Sequence, residues 1–417
     1  MVTGAQGDVS RWIDQRMALA REWDELVEQV RKLEGFEDFL RPPPLDTLLG
    51  AAARGPVVVV NVSRWRCDAL MVTTDGVRVA ELPDLTSDEV ERRTVEYLRL
   101  LHEDARVDPG LPFTVAVRQR ATKLQERESA LRSTMEWLWE VVADPVLAAL
   151  GITQPHIQGE PWYRLWWCPT GLLTLLPLHG AGYHSAADGR TVLDRVVSSY
   201  TPTLRVLREA MEMPVEQATA GSDRLLFVGV PDTPDQLQLA EEVAGEREFL
   251  RGRFPSGLTV IEGGNATVST VQAAMAQHRW IHLSCHGHQD LNDPSTAGFV
   301  LSSGTFSITR LSAMHYTGEF AFLSACKTAT GGLNLPDEVI TLAAALSYTG
   351  YRYVLATLWS VDPAVAMEVT EAVYPRLIND GVFDPDKSAL ALHHAVRMLR
   401  AGGRPLDDWL PFTHNGP

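Results

Sequence analysis

Apolar residues repeat at helical spacing near the start of the chain. Leu19, Trp23, Leu26, Val30 and Leu33 lie three or four apart with charges between them. That stripe predicts one long amphipathic helix with Gly35 as its stop, and Pro42-Pro43-Pro44 breaks the chain after it. The stripe must pack on the rest of the chain or on a partner. The run Pro56-Val57-Val58-Val59-Val60 then reads as a buried strand, and Asp75-Gly76 as the turn of a hairpin joining Ala69–Val72 to Val77–Leu82. Thr86 with Glu89 forms a capping box, so a helix should run from there into the low hundreds. Leu131, Met135, Leu138 and Val142 mark a further helix, interrupted at Pro145 and ended near Gly151. The segment Trp166 to Pro177 reads as a strand, a turn and a second apolar stretch.

From Ser222 the rhythm is more regular. Strands are predicted at Leu225–Val230, Leu258–Ile261, Trp280–Cys285, Phe320–Ala325 and Tyr353–Leu358. Helices are predicted at Gln236–Leu250, Thr267–Gln277, Asp337–Tyr348 and Pro363–Leu377. Strands alternating with helices of this length mean an α/β fold with a mostly parallel sheet flanked by helices. Small and polar residues around Pro214 to Asp223 suggest a boundary. The chain is therefore read as an N-terminal helical segment over 1–50 and two α/β halves over 51–216 and 217–417.

Composition narrows the classes. The chain has 417 residues, of which 45% are hydrophobic and 22% charged, as in an ordinary globular protein. With 53 acidic and 37 basic residues the formal charge is −16, which argues against direct, sequence-independent nucleic-acid binding. No leader or spanning segment is seen: the longest uncharged stretch, Leu165 to Ala187, is broken by Pro169, Gly171 and Pro177. Four cysteines, Cys67, Cys168, Cys285 and Cys326, are too few for a disulfide framework and fit a reducing compartment. The expected location is the cytoplasm, with no membrane partner.

Parallel sheets bind ligands beyond the carboxyl ends of their strands, so strand ends are where chemistry is expected. Two stand out. One is Ile281-His282-Leu283-Ser284-Cys285-His286-Gly287-His288, and the other is Phe322-Leu323-Ser324-Ala325-Cys326-Lys327. If these strands are parallel neighbours, the His286 imidazole and the Cys326 thiol emerge at one edge. A cysteine nucleophile needs that arrangement, because the thiolate attacks and a nearby imidazole raises its population. Gly287 lacks a Cβ, so its N–H can approach a developing oxyanion, with the N–H of Cys326 as second donor. Cys285 alternates with His286 and is expected on the core face. His282 is read as a hydrogen-bonded core histidine or a support for His286. His282, His286 and His288 at alternate positions of one strand would suit zinc, but no carboxylate or thiol completes the set, and no metal or cofactor is expected.

These residues resemble the CHAT domain, a caspase-like cysteine protease family often found after tetratricopeptide repeats. The resemblance rests on His282 to Gly287, on Leu323 to Thr328, and on Thr357-Leu358-Trp359-Ser360-Val361-Asp362. Cys168-Pro169-Thr170-Gly171, Leu176 to Gly182, Ser199 to Leu204 and the closing Trp409 to Gly416 also take part. It implies a caspase-like fold whose first half is a pseudo-caspase-like unit without a dyad. It implies His286 as general base, Cys326 as nucleophile, and the N–H groups of Gly287 and Cys326 as the oxyanion site. The implied activity is that of an endopeptidase cleaving a specific protein partner under the control of an activator or sensor. The N-terminal helix is a candidate contact for that activator.

The substrate pocket is less defined. Asp337 and Glu338 match an acidic position of the family and would either bind a basic P1 side chain or cap the helix that begins there. Thr357, Trp359 and Asp362 belong to a segment read as an edge for an extended substrate added as a strand, although Asp362 before Pro363 also fits an N-cap. The alternative function is a scaffold or signalling adaptor whose dyad is unused.

Overall fold

In the computed structural model, residues 4–37, 39–102, 112–186, 188–213, 224–231, 240–255, 257–288, 293–324 and 341–417 are described. The chain forms two compact units, Met1–Gly50 and Ala51–Pro417. The first holds helix α1 (Gly4–Val30), which carries the amphipathic stripe, and the short α2 (Leu45–Leu49). Gly35 follows α1 at φ +86°, the left-handed conformation that favours glycine.

The second unit opens with β1 (Val57–Asn61) and the hairpin β2 (Asp68–Thr73) and β3 (Gly76–Glu81), turning at Asp75-Gly76 as the pattern predicts. Helix α3 (Ser87–His102) is capped by Thr86, whose Oγ1 accepts from the Glu89 N–H at 3.3 Å. Helix α4 (Phe113–Leu138) does not break at Pro145 as expected. It passes through one π-helical turn, Trp139–Ala143, into α5 (Asp144–Ala149). Pro145 falls in the first turn of α5, where its missing N–H costs little. Then come β4 (Tyr163–Pro169), α6 (Val192–Arg195), β5 (Val196–Tyr200) and α7 (Leu204–Glu212). The apolar stretch after Pro169 folds as a 3₁₀ turn, Gly171–Leu175.

The second half runs β6 (Leu225–Gly229), α8 (Ala240–Arg253), β7 (Leu258–Glu262), α9 (Val268–Met275), β8 (Trp280–Ser284) and β9 (His286–His288). A hairpin of β10 (Gly298–Leu301) and β11 (Gly304–Ser307) leads through α10 (Ile308–Ser312) to β12 (Phe320–Leu323). After it come α11 (Leu342–Tyr348), β13 (Tyr353–Thr357), α12 (Pro363–Leu377), the small hairpin β14 (Ile378–Asn379) and β15 (Val382–Phe383), α13 (Ser388–Ala401), α14 (Leu406–Trp409) and β16 (Phe412–Asn415).

Eleven strands form one sheet in the order β3-β2-β1-β4-β5-β16-β13-β12-β8-β6-β7. Two parallel blocks meet at β16, which pairs parallel to β5 and antiparallel to β13. The last residues of the chain thus join the two half-sheets. His414 secures the seam: its ring nitrogens lie 2.8 Å from Ser199 Oγ and 3.0 Å from Ser388 Oγ. Burial pushes this imidazole well below its usual range, so it stays neutral with one donor and one acceptor nitrogen for two hydroxyls.

Alternation along the strands separates two cores. Leu225, Phe227, Trp280, Phe320, Phe322, Tyr353 and Leu355 face one core, while their neighbours Leu226, Ile281, Leu283, Ala321, Leu323, Val354 and Ala356 face the other. A sheet buried on both faces reads as continuous apolar runs, which is how these strands look in the sequence. Among the described residues no helix is long and apolar enough to cross a membrane.

Candidate active site

The two strands singled out by the sequence are parallel neighbours. β8 pairs with β12 from Trp280↔Phe320 to Leu283↔Leu323. Ser284 and Ser324 therefore follow side by side at the carboxyl edge of the sheet. Beyond Ser284 the strand does not continue straight. The chain bends at Cys285, and β9 joins a separate three-stranded sheet with β10 and β11, in which His286 faces Val300 and Gly287 faces Phe299. This corrects the expectation that His282, His286 and His288 share one strand face. His282 is fully buried in β8, His286 is half-buried, and His288 is exposed. Among the described residues no group of three metal-ligating side chains converges.

The His286 imidazole borders a small open cavity whose lining includes Glu242, Glu246, Ser284, Cys285, Ser324 and Thr357. Burial pushes its pKa below the ordinary 6.5, so the ring is neutral at neutral pH and able to accept a proton. Cys285 is 4% exposed and packs in the second core, as the alternation predicts, and it also borders the cavity. Cys326, with Asp337 and Glu338, lies outside the described residues; the sequence puts the thiol two residues after Ser324.

His282 is locked in place. Its ring stacks on Phe227 at 5.6 Å and meets Phe322 edge-on at 5.0 Å. Its Nδ1 lies 3.0 Å from Tyr374 Oη. Burial raises the Tyr374 phenol well above its usual range, so it keeps its proton. The other ring nitrogen, Nε2, stands 3.5 Å from Glu246 Oε2, an electrostatic contact too long for a good hydrogen bond.

Glu246 is the residue that sequence reasoning missed. It sits on α8, 3% exposed, and accepts hydrogen bonds from Ser284 Oγ at 2.5 Å, Ser324 Oγ at 2.7 Å and Thr370 Oγ1 at 3.1 Å. Burial pushes its carboxyl up, but the His282 imidazole and the hydroxyls outweigh that and hold it below the usual carboxylate range. A signal was present. Val243, Glu246 and Leu250 are three and four apart, so an acid stands in the buried stripe of α8. Gly229, at the end of β6, lets α8 come this close: a Cβ there would stand 2.8 Å from Val243 Cγ1.

The proposed substrate segment divides. Thr357 lines the cavity. Trp359 is 2% exposed, meets Tyr97 edge-on at 5.5 Å, and directs its indole N–H to Asp407 Oδ1 at 3.2 Å. The expectation of a free sheet edge fails at Thr357 and Leu358. β13 lies between β12 and β16, Thr357 pairs with Phe412, and the Leu358 N–H donates to the Pro411 carbonyl at 2.9 Å. Asp362 caps α12, its Oδ1 accepting from the Ala364 N–H at 2.9 Å with Pro363 at the first helical position. Asp362→Ala should cost about 1 kcal/mol in urea unfolding.

The first half offers no comparable thiol. Cys168 is buried, contacts the Pro202 carbonyl at 3.5 Å, and has its pKa pushed up to about 12 by burial. Cys67, Cys168 and Cys285 are all buried.

The mostly parallel sheet flanked by helices superposes on solved structures. A chain of the Saccharomyces cerevisiae separase–securin complex at 2.6 Å superposes with TM-score 0.62 at 9% identity, over 88% of this chain and 30% of that one. A second structure of that complex, at 3.0 Å, gives 0.61 at 7% identity, over 89% and 30%. The Arg specific cysteine proteinase gingipain R aligns less well, at TM-score 0.44 and 12% identity over 70% of this chain and 75% of that one. This chain spans under a third of the length of the separase–securin chain it matches. The fold is caspase-like. The CHAT domain model matches residues 132–417, and the chain belongs to that family. No curated protein matches its sequence.

Proposed function

We propose that this chain is a cysteine endopeptidase that cleaves a specific protein partner through a His286/Cys326 dyad. One observation carries the reading: β8 and β12 are adjacent and parallel, and they end beside the cavity that His286 borders. Cys326 follows Ser324 by two residues in the sequence. In the proposed reaction His286 takes the proton of the Cys326 thiol, and the thiolate adds to the scissile carbonyl carbon. The C–N bond then breaks as His286 protonates the leaving amine, and water attacks the resulting thioester to release the acid and regenerate the thiol. The N–H groups of Gly287 and Cys326 would receive the oxyanion. Glu242 gives the cavity an acidic side chain, which together with Asp337 and Glu338 favours a basic P1 side chain. An activator could engage the apolar stripe of α1. The test is a search for new protein N-termini in a cell extract treated with the chain or with Cys326→Ala. The expected result is a short list of cleavages confined to the intact chain, preceded by Lys or Arg. Identical lists would overturn the reading.

A further inference from the structure

Two serines at the edge of the sheet share one buried acid, and their positions in the sequence are matched. Ser284 is two residues before His286, and Ser324 is two residues before Cys326. Both hydroxyls donate to the Glu246 carboxylate, one to each oxygen, at 2.5 and 2.7 Å. The acid comes from α8, and Thr370 of α12 adds a third donor at 3.1 Å. One group thus ties two strand ends and two helices together at the point where the backbone leaves the sheet. A buried carboxylate is costly unless its lone pairs are satisfied. Here three hydroxyls satisfy it, and His282 Nε2 stands 3.5 Å away. An apolar residue would fill the same space in the α8 stripe without needing any of these partners.

We propose that Glu246 is a positioning residue: it clamps Ser284 and Ser324 and so fixes the spacing of the strand ends that lead to His286 and Cys326. The proposal rests on the peptidase reading for its purpose, but the clamp is a property of the edge and can be tested separately. An acyl-transfer dyad tolerates little displacement, and a shift of about 1 Å is worth about 100-fold in rate. Glu246 does not touch the reacting atoms in this scheme. Its effect is transmitted through the two serines.

The first readout is the alkylation of Cys326 by iodoacetamide across pH, followed by mass spectrometry of the full chain, with Cys168 as the slow internal reference. The second is hydrolysis of a fluorogenic peptide library, read well below the melting temperature. Glu246→Gln keeps the shape but replaces one acceptor oxygen with an amide NH₂. It should slow alkylation at neutral pH and move the profile toward that of a free thiol, and lower kcat by about 10- to 100-fold with KM within about twofold. Ser284→Ala and Ser324→Ala should each show a smaller loss, and neither should add to Glu246→Gln. Should Glu246→Gln fail to fold, the Ser284→Ala/Ser324→Ala double variant carries the same test. An alkylation profile and kcat equal to wild type in the folded variants would overturn the clamp, even with a lowered melting temperature. If the wild-type chain cleaves nothing while the alkylation profile still depends on Glu246, the clamp stands and the peptidase reading falls.

Discussion

Cys326→Ala is expected to lower kcat by roughly 10⁴-fold or more, leaving only what substrate binding and oxyanion stabilisation supply on their own. The reason is chemical. The thiolate is the sole attacking group in the proposed scheme. Cys168 has a thiol pushed up to about 12 by burial, and Cys67 and Cys285 are buried. The measurement is kcat on a peptide spanning a mapped cleavage site, with thermal melting to show that the variant folds. Cys168→Ala should retain full activity. Cleavage that survives in Cys326→Ala and disappears in Cys168→Ala would move the nucleophile to the first half.

His286→Gln is expected to reduce kcat by about 10²- to 10⁴-fold, the range for removing a positioned general acid–base group. Its pH behaviour is the sharper test. Burial alone holds the imidazole below the ordinary 6.5. In Cys326→Ala, where no thiolate can form, His286 should titrate by NMR below that value. In the intact chain a thiolate beside the ring stabilises the imidazolium, so the midpoint should rise relative to Cys326→Ala. Equal midpoints would show that the two side chains do not interact. The linkage sign for stability in Cys326→Ala follows from the depressed value. The unfolded chain binds the proton first as pH falls, so this histidine's contribution is present above 6.5 and lost as pH drops toward its folded midpoint.

Much of this was legible before any coordinates. Continuous apolar runs at Leu225, Trp280, Phe320 and Tyr353 required a sheet buried on both faces, and the residues ending those runs marked where chemistry could sit. The alternation of Cys285 with His286 assigned the cysteine to the core, where it packs, although it also borders the cavity beside His286. Other features depended on contacts distant in sequence. Nothing local shows that the chain turns at Cys285, so His288 was placed on a strand face it does not share with His282. Thr357 and Leu358 looked like a free edge because their partners, Phe412 and Pro411, come from the end of the chain. Asp362 was ambiguous until the Ala364 N–H was seen to meet it.

The sequence by itself determined the class of fold and most strands and helices of the second half, and it named the pair of residues on which the proposed chemistry depends. Those properties follow from period, turn chemistry and residue type, all of which act over a few residues. The tertiary structure alone decided that β16 joins the two half-sheets and that one acid on α8 grips both strand ends. Strand pairing and burial are non-local: they bring Glu246 to Ser284, Ser324 and Thr370, up to 124 residues away. An acid in an apolar stripe announces that it needs partners, and only the packed chain says which ones it found.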